Sequence, residues 1–187
     1  NCQAPSAGLC WAPVFEHRLL LLAETFPPSV GGMQAYLSGL WKALPGPQSF
    51  VVAAAQPGDR AFDVSQPYTV TRVSTKAWTY PRWRPAWQAA RRLVRRERIE
   101  AVVCGKALFE GRAALRLFAE FGIPFVVCTY ATEILAWNHS PKTRADLHRV
   151  LQGAGRVVVV NEGIRRVIHD IGVPDFRSVK LYPGVPE

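Results

Sequence analysis

The chain alternates short apolar runs with segments in which apolar residues recur every three or four positions. Residues 19–24 form a nearly uninterrupted apolar run, as expected for a strand buried on both faces. A turn follows over 25–32. In 33–44 the apolar residues Met33, Leu37, Leu40, Trp41 and Leu44 have helical spacing, and Pro45-Gly46-Pro47 stops that helix. Residues 50–55 predict a second strand. Residues 68–73 alternate apolar and polar, so they predict a third strand nearer an edge, and 59–68 reads as a polar loop.

The second half repeats the rhythm. A helix is predicted over 85–97, with Trp87, Ala90, Leu93 and Val94 on one stripe, then a strand over 99–104. A helix over 107–121 ends at Gly122, and a strand follows over 123–129. Ser140 caps and Pro141 opens a helix reaching about residue 152. Four consecutive valines mark a buried strand over 156–160. Asn161 caps a helix through 171, Gly172 ends it, and 178–182 predicts a last short strand.

Strands joined by helical crossovers imply an α/β fold: one Rossmann-like, mostly parallel sheet with helices on both faces. The expected organisation is an irregular leader over 1–17 and a single domain over 18–187. Ligands of open sheets bind beyond the C-terminal ends of the strands. That directs attention to 25–32, 104–106, 129–133 and 161–162.

Composition narrows the class. At 187 residues, 49% apolar and 20% charged, the chain is too apolar for disorder and lacks collagen or coiled-coil periodicity. It holds 23 Lys and Arg against 14 Asp and Glu, a net charge of +9. Such a balance favours an anionic partner: nucleic acid, an anionic membrane or a phosphorylated small molecule. Helix-turn-helix, RRM and zinc patterns are absent, so no specific nucleic-acid partner is expected. Cys104 and Cys128 close apolar runs and read as reduced core residues. Cys2 and Cys10 lie in the leader, and nothing demands that they pair. No apolar stretch approaches the ~20 residues of a membrane span. A cytoplasmic location is expected, with a peripheral position on the inner membrane face as the variant of it.

Val30-Gly31-Gly32 follows a buried strand and opens a helix. Two glycines let the backbone approach a ligand without a Cβ in the way, and free N–H groups at a helix start suit a phosphate. The pattern is neither GxGxxG nor a P-loop. On its own it reads first as an ordinary strand-to-helix turn and only second as a ligand cradle.

The wider context resembles the family 4 glycosyltransferases of GT-B architecture. The stretch from Ala23 to Gln34, with Phe26-Pro27-Pro28 before Gly31-Gly32, is similar to that family's opening. Gly122-Ile123-Pro124 leads a strand ending Thr129-Tyr130-Ala131-Thr132-Glu133, similar to the family's Thr-His-Gly-x-Glu. Leu181-Tyr182-Pro183-Gly184-Val185-Pro186 resembles the segment leading into the second domain. The resemblance implies a retaining sugar transferase whose N-terminal, acceptor-side domain is this chain. The donor-binding C-terminal domain would then be a partner absent from it, and the chain alone would be inactive. The donor would be a nucleotide-sugar, a co-substrate rather than a cofactor, and the acceptor a saccharide or a lipid-linked molecule. No Asp-x-Asp motif appears, so no metal is expected.

The resemblance also implies site residues. Gly31 and Gly32 face the donor pyrophosphate. Glu133 either accepts hydrogen bonds from sugar hydroxyls or caps the following segment. Tyr130 stands where many members have His; a phenol can hydrogen-bond, but it titrates near 10 and is a poor base at neutral pH. Asn161 is first a helix cap and second a candidate ligand. His148 and His169 read as surface residues, whereas His139 lies near the expected cleft.

Arg91, Arg92, Arg95 and Arg96 cover one arc of the predicted 85–97 helix, opposite Leu93 and Val94. They read either as a solvated face or, with Trp83, as a surface for an anionic membrane. The competing functional reading is a non-enzymatic Rossmann-like module that binds a nucleotide or such a surface.

Overall fold

The computed structural model describes residues 17–44, 48–74, 81, 83–131, 134–135 and 140–182. The leader with Cys2 and Cys10, Glu133, His139 and 183–187 therefore lie outside the described residues. Seven strands form one sheet: β1 (Leu19–Ala23), β2 (Ser49–Ala54), β3 (Thr69–Val73), β4 (Ala101–Cys104), β5 (Phe125–Thr129), β6 (Arg156–Val159) and β7 (Ser178–Lys180). The helices are α1 (Gly32–Lys42), α2 (Asp59–Val64), α3 (Arg84–Glu97), α4 (Phe109–Phe121), α5 (Pro141–Gly153) and α6 (Glu162–Asp170).

Every strand pair is parallel, and the order is β3-β2-β1-β4-β5-β6-β7. The chain builds outward from β1 to β3, then crosses to the other side of β1 and builds outward again. The direction of winding thus reverses between β1 and β4, where Leu22 lies level with Cys104.

Alternation along the strands makes two cores. Leu20 and Leu22 point to the layer of α3, α4, α5 and α6, against residues such as Leu93, Leu117, Val150 and Ile168. Leu21 and Ala23 point to the other face, with Leu37 and Trp41 of α1 and Phe62 of α2. Leu20, Leu21 and Leu22 are fully buried, and each contributes roughly 2 kcal/mol by leaving water. This explains why β1 carries no polar residue: it is central and covered on both sides.

Gly105 permits the tight exit from β4. Its N–H donates to the Leu22 carbonyl at 2.8 Å. A Cβ there would lie 2.9 Å from Leu37 Cδ1 and 3.2 Å from that same carbonyl oxygen. Gly122 ends α4 in the left-handed region at φ 70° and returns its N–H to Phe118, as its position in the sequence predicts.

Two expectations need correction. Part of the expected polar loop is helical, since Asp59–Val64 forms α2. It is six residues long and buries none of them fully, too short for a periodic signal. Ser140 stands at the start of α5, but its side chain makes no capping bond. Asn161 does cap as expected: its Oδ1 accepts from Ile164 N–H at 2.9 Å. Cys104 and Cys128 are free and buried. Burial pushes the Cys128 thiol up to about 12 and Cys104 well above its ordinary value, so neither supplies a thiolate at neutral pH. No helix among the described residues is long and apolar enough to cross a membrane.

Candidate functional site

The C-terminal ends of the strands form one rim, and the candidate residues lie along it. Gly31 and Gly32 follow β1, Lys106 follows β4, Tyr130 follows β5 and Asn161 follows β6. At about 4.8 Å per strand, Tyr130 lies two strands, or about 10 Å, from the glycine turn. Asn161 is one strand further and has its Oδ1 committed to the α6 cap, so it is not brought to the turn.

Gly31 occupies the N-cap of α1 without a side chain to cap it. Its φ of 169° is extended backbone, which any residue adopts. What the glycines provide is space. A Cβ on Gly32 would meet no atom within 4 Å. One on Gly31 would press first on the far end of the Gln34 side chain. The start of α1 is therefore an open concentration of backbone N–H groups beside the point where winding reverses, a setting that suits an anion.

The floor of that point holds a group the sequence reading passed over. Glu110, in the first turn of α4, is only 1% exposed. Its Oε1 accepts the Glu24 N–H at 2.7 Å, and its Oε2 is buried with no hydrogen-bond partner. Burial pushes its carboxyl up to about 8. The hydrogen bonds from the N–H groups of Glu24 and Glu110 and the nearby Lys106 charge pull the other way without prevailing. Glu110 is thus mostly a neutral acid at neutral pH. Beside it Lys106 Nζ and Glu24 Oε2 lie 3.9 Å apart, both largely buried. A signal for Glu110 was available: with Ala113, Ala114 and Leu117 it falls on the buried stripe of the helix, where a carboxylate is out of place.

The arginines of α3 do project from the side opposite Leu93 and Val94, but three of them are paired. Arg91 and Arg95 both reach Glu120 of α4, at 2.6 and 3.3 Å, and Arg91 stacks over Trp87. Arg96 pairs with Glu97 at 2.7 Å. Arg116 lies over the Trp83 ring. His148 and His169 are exposed on α5 and α6, as expected. Among the described residues no group of His, Cys, Asp and Glu could hold a metal ion.

A family model described as Glycosyltransferase Family 4 matches residues 30–187. Among solved structures, HepE of Anabaena in complex with UDP and glucose superposes with a TM-score of 0.68 at 12% identity, over 90% of this chain and 45% of that one. The lipopolysaccharide outer core galactosyltransferase WaaB, in its apo form, gives 0.65 at 12% identity, over 89% and 46%. UDP-N-acetylglucosamine 2-epimerase of Rickettsia bellii gives 0.63 at 10% identity, over 88% and 44%. The chain spans less than half the length of each. At these identities the likeness is one of fold, that of a single Rossmann-like lobe of the GT-B architecture. No curated protein matches the chain.

Proposed function

This chain belongs to glycosyltransferase family 4, and we propose that it is the N-terminal, acceptor-side lobe of a retaining sugar transferase. One observation carries the reading: the turn after β1 opens α1 with Gly31 and Gly32, without a side-chain cap and with open space at Gly32, where the winding reverses. Backbone N–H groups so placed favour the diphosphate of a nucleotide-sugar donor. Solved neighbours hold UDP and UDP-glucose, so a uridine nucleotide is the first donor to test.

In this reading a second lobe supplies most nucleotide contacts and closes the crevice. The acceptor, a saccharide or lipid-linked molecule, lies over β4 and β5 with its hydroxyl near Tyr130, and Glu133, next but two in the sequence, takes hydrogen bonds from sugar hydroxyls. The acceptor oxygen bonds to the anomeric carbon on the face from which the nucleotide leaves. The carbon–phosphate oxygen bond breaks, and the acceptor proton passes to the departing phosphate. Such chemistry rests on positioning and on stabilising the phosphate rather than on a strong protein base, which fits a tyrosine at position 130.

The test is a mass-spectrometric screen of nucleotide-sugars against saccharide and lipid acceptors. It uses the chain joined to a second nucleotide-binding lobe, with the 187-residue chain alone in parallel. Transfer by the joined protein with retained anomeric configuration, and negligible turnover by the chain alone, is the expected result. Nucleotide binding without transfer to any acceptor would return the chain to a non-enzymatic module.

A further inference from the structure

The turn that precedes the glycines, residues 25–30, is gripped from the neighbouring strand and helix. Phe26 is fully buried, edge-on to Phe62 and Tyr68 at 6.1 and 6.2 Å. Its carbonyl accepts from Gln56 Nε2 at 2.5 Å and from Ser29 Oγ at 2.9 Å. The next carbonyl, that of Pro27, accepts from a terminal guanidinium nitrogen of Arg72 at 2.6 Å. The other terminal nitrogen of Arg72 donates to the Ala54 carbonyl at 3.1 Å. Asp63 of α2 takes the remaining side of the fork, at 2.7 Å from the terminal nitrogen and 3.0 Å from Nε. Both partners of that ion pair are mostly buried, with side chains 10% and 20% exposed. Gly58, which opens α2, sits against Pro28.

These contacts have a common target. A proline-rich turn has few N–H groups with which to fix itself, and here the carbonyls of Phe26 and Pro27 each accept from a side chain outside the turn, Gln56 and Arg72. Arg72 lies on β3, the edge strand, which a fold alone would not require to carry a buried guanidinium. An arginine fork fixed by a carboxylate holds direction as well as distance.

We propose that Arg72, oriented by Asp63 and assisted by Gln56, is the positioning residue of the glycine turn. It holds the Phe26–Pro27 backbone so that the N–H groups of Gly31, Gly32 and Met33 are presented, already ordered, to the diphosphate of the donor. The inference rests on the reading that this turn receives a nucleotide diphosphate. It adds the device that sets the turn's geometry and ties that geometry to β3 and α2.

Hydrogen exchange on the 187-residue chain tests the clamp without a substrate. Arg72→Lys keeps the charge but cannot form the fork, and Asp63→Asn leaves Arg72 in place without its anchor. Both are expected to speed exchange at residues 24–34 at least tenfold while leaving β4 and α4 unchanged. Acceleration spread evenly over the sheet with a lowered Tm would make Arg72 merely structural and overturn the proposal. So would no acceleration in either variant. Titration with UDP of the chain joined to a second nucleotide-binding lobe, followed through the amide signals of Gly31 and Gly32, tests the consequence. Wild type is expected to shift, and Arg72→Lys to need at least ten times more UDP. Equal titration by both would overturn the positioning role. No shift in wild type would overturn the donor reading itself, and the exchange result, obtained without UDP, would still show whether the clamp holds the turn.

Discussion

The carboxyl of Glu110 accepts the backbone N–H of Glu24 at 2.7 Å, joining the first turn of α4 to the end of β1 across the point where the sheet's winding reverses. Burial raises the Glu110 carboxyl from 4.5 to about 8. Between those values the folded chain keeps a proton that the unfolded chain has lost. The stabilisation is therefore fully present below about pH 4.5 and is lost as pH rises through about 8, at about 1.4 kcal/mol per pH unit. Glu110→Gln keeps an oxygen acceptor for Glu24 and removes the titration. Its stability relative to wild type is expected to climb steadily from pH 5 to pH 8, as read by urea denaturation at each pH. Parallel pH profiles would show that Glu110 is ionised in the folded chain.

Most of the sheet was legible because central strands have to be apolar: Leu19–Ala23 and the valines of β6 announce themselves. Helix ends set by backbone geometry were legible too, at Gly122 and at Asn161. α2 was not, because a helix of six residues lying at the edge shows no periodic stripe. The Arg72 grip was not, because its partners at positions 27, 54 and 63 are joined only by the fold, and two of them are backbone carbonyls. Glu110 sits between these cases. Its place on a buried stripe could be read, but its partner Glu24, just past β1, could not.

Asn161 carries a separable role. Its side chain satisfies the Ile164 N–H at the start of α6, and Ala in that position leaves the donor unmet. Asn161→Ala is expected to lower stability by about 1 kcal/mol, and Asn161→Asp to restore it. If the residue is only a cap, both variants transfer sugar at wild-type rates under conditions where they are folded. A loss of transfer in Asn161→Asp, with stability intact, would assign it a ligand.

Tyr130 tests the demand for a base. The residue follows β5 at the rim with its hydroxyl turned into the protein and buried, and a phenol accepts protons poorly at neutral pH. Tyr130→Phe in the enzyme with both lobes is expected to lower kcat/KM about tenfold, the scale of one lost hydrogen bond, with the shape of the pH profile unchanged between pH 6 and 8. A limb of the profile that vanishes with the hydroxyl would show that Tyr130 moves the proton itself.

Gly32 separates what the fold needs from what a ligand needs. It is the first residue of α1, it is not among the glycines with positive φ, and a Cβ added there would touch nothing within 4 Å. Nothing in the folded chain therefore requires glycine, and Ala is the better helix former by up to about 1 kcal/mol. Gly32→Ala is expected to hold or raise the Tm, yet to raise the KM for the donor at least tenfold, because the new methyl occupies the space a phosphate would enter. Gly105→Ala gives the opposite result. Its Cβ would press on Leu37 and on the Leu22 carbonyl, lowering stability by about 1–3 kcal/mol. Unchanged donor kinetics in a stable Gly32→Ala protein would mean that the turn after β1 does not meet the donor.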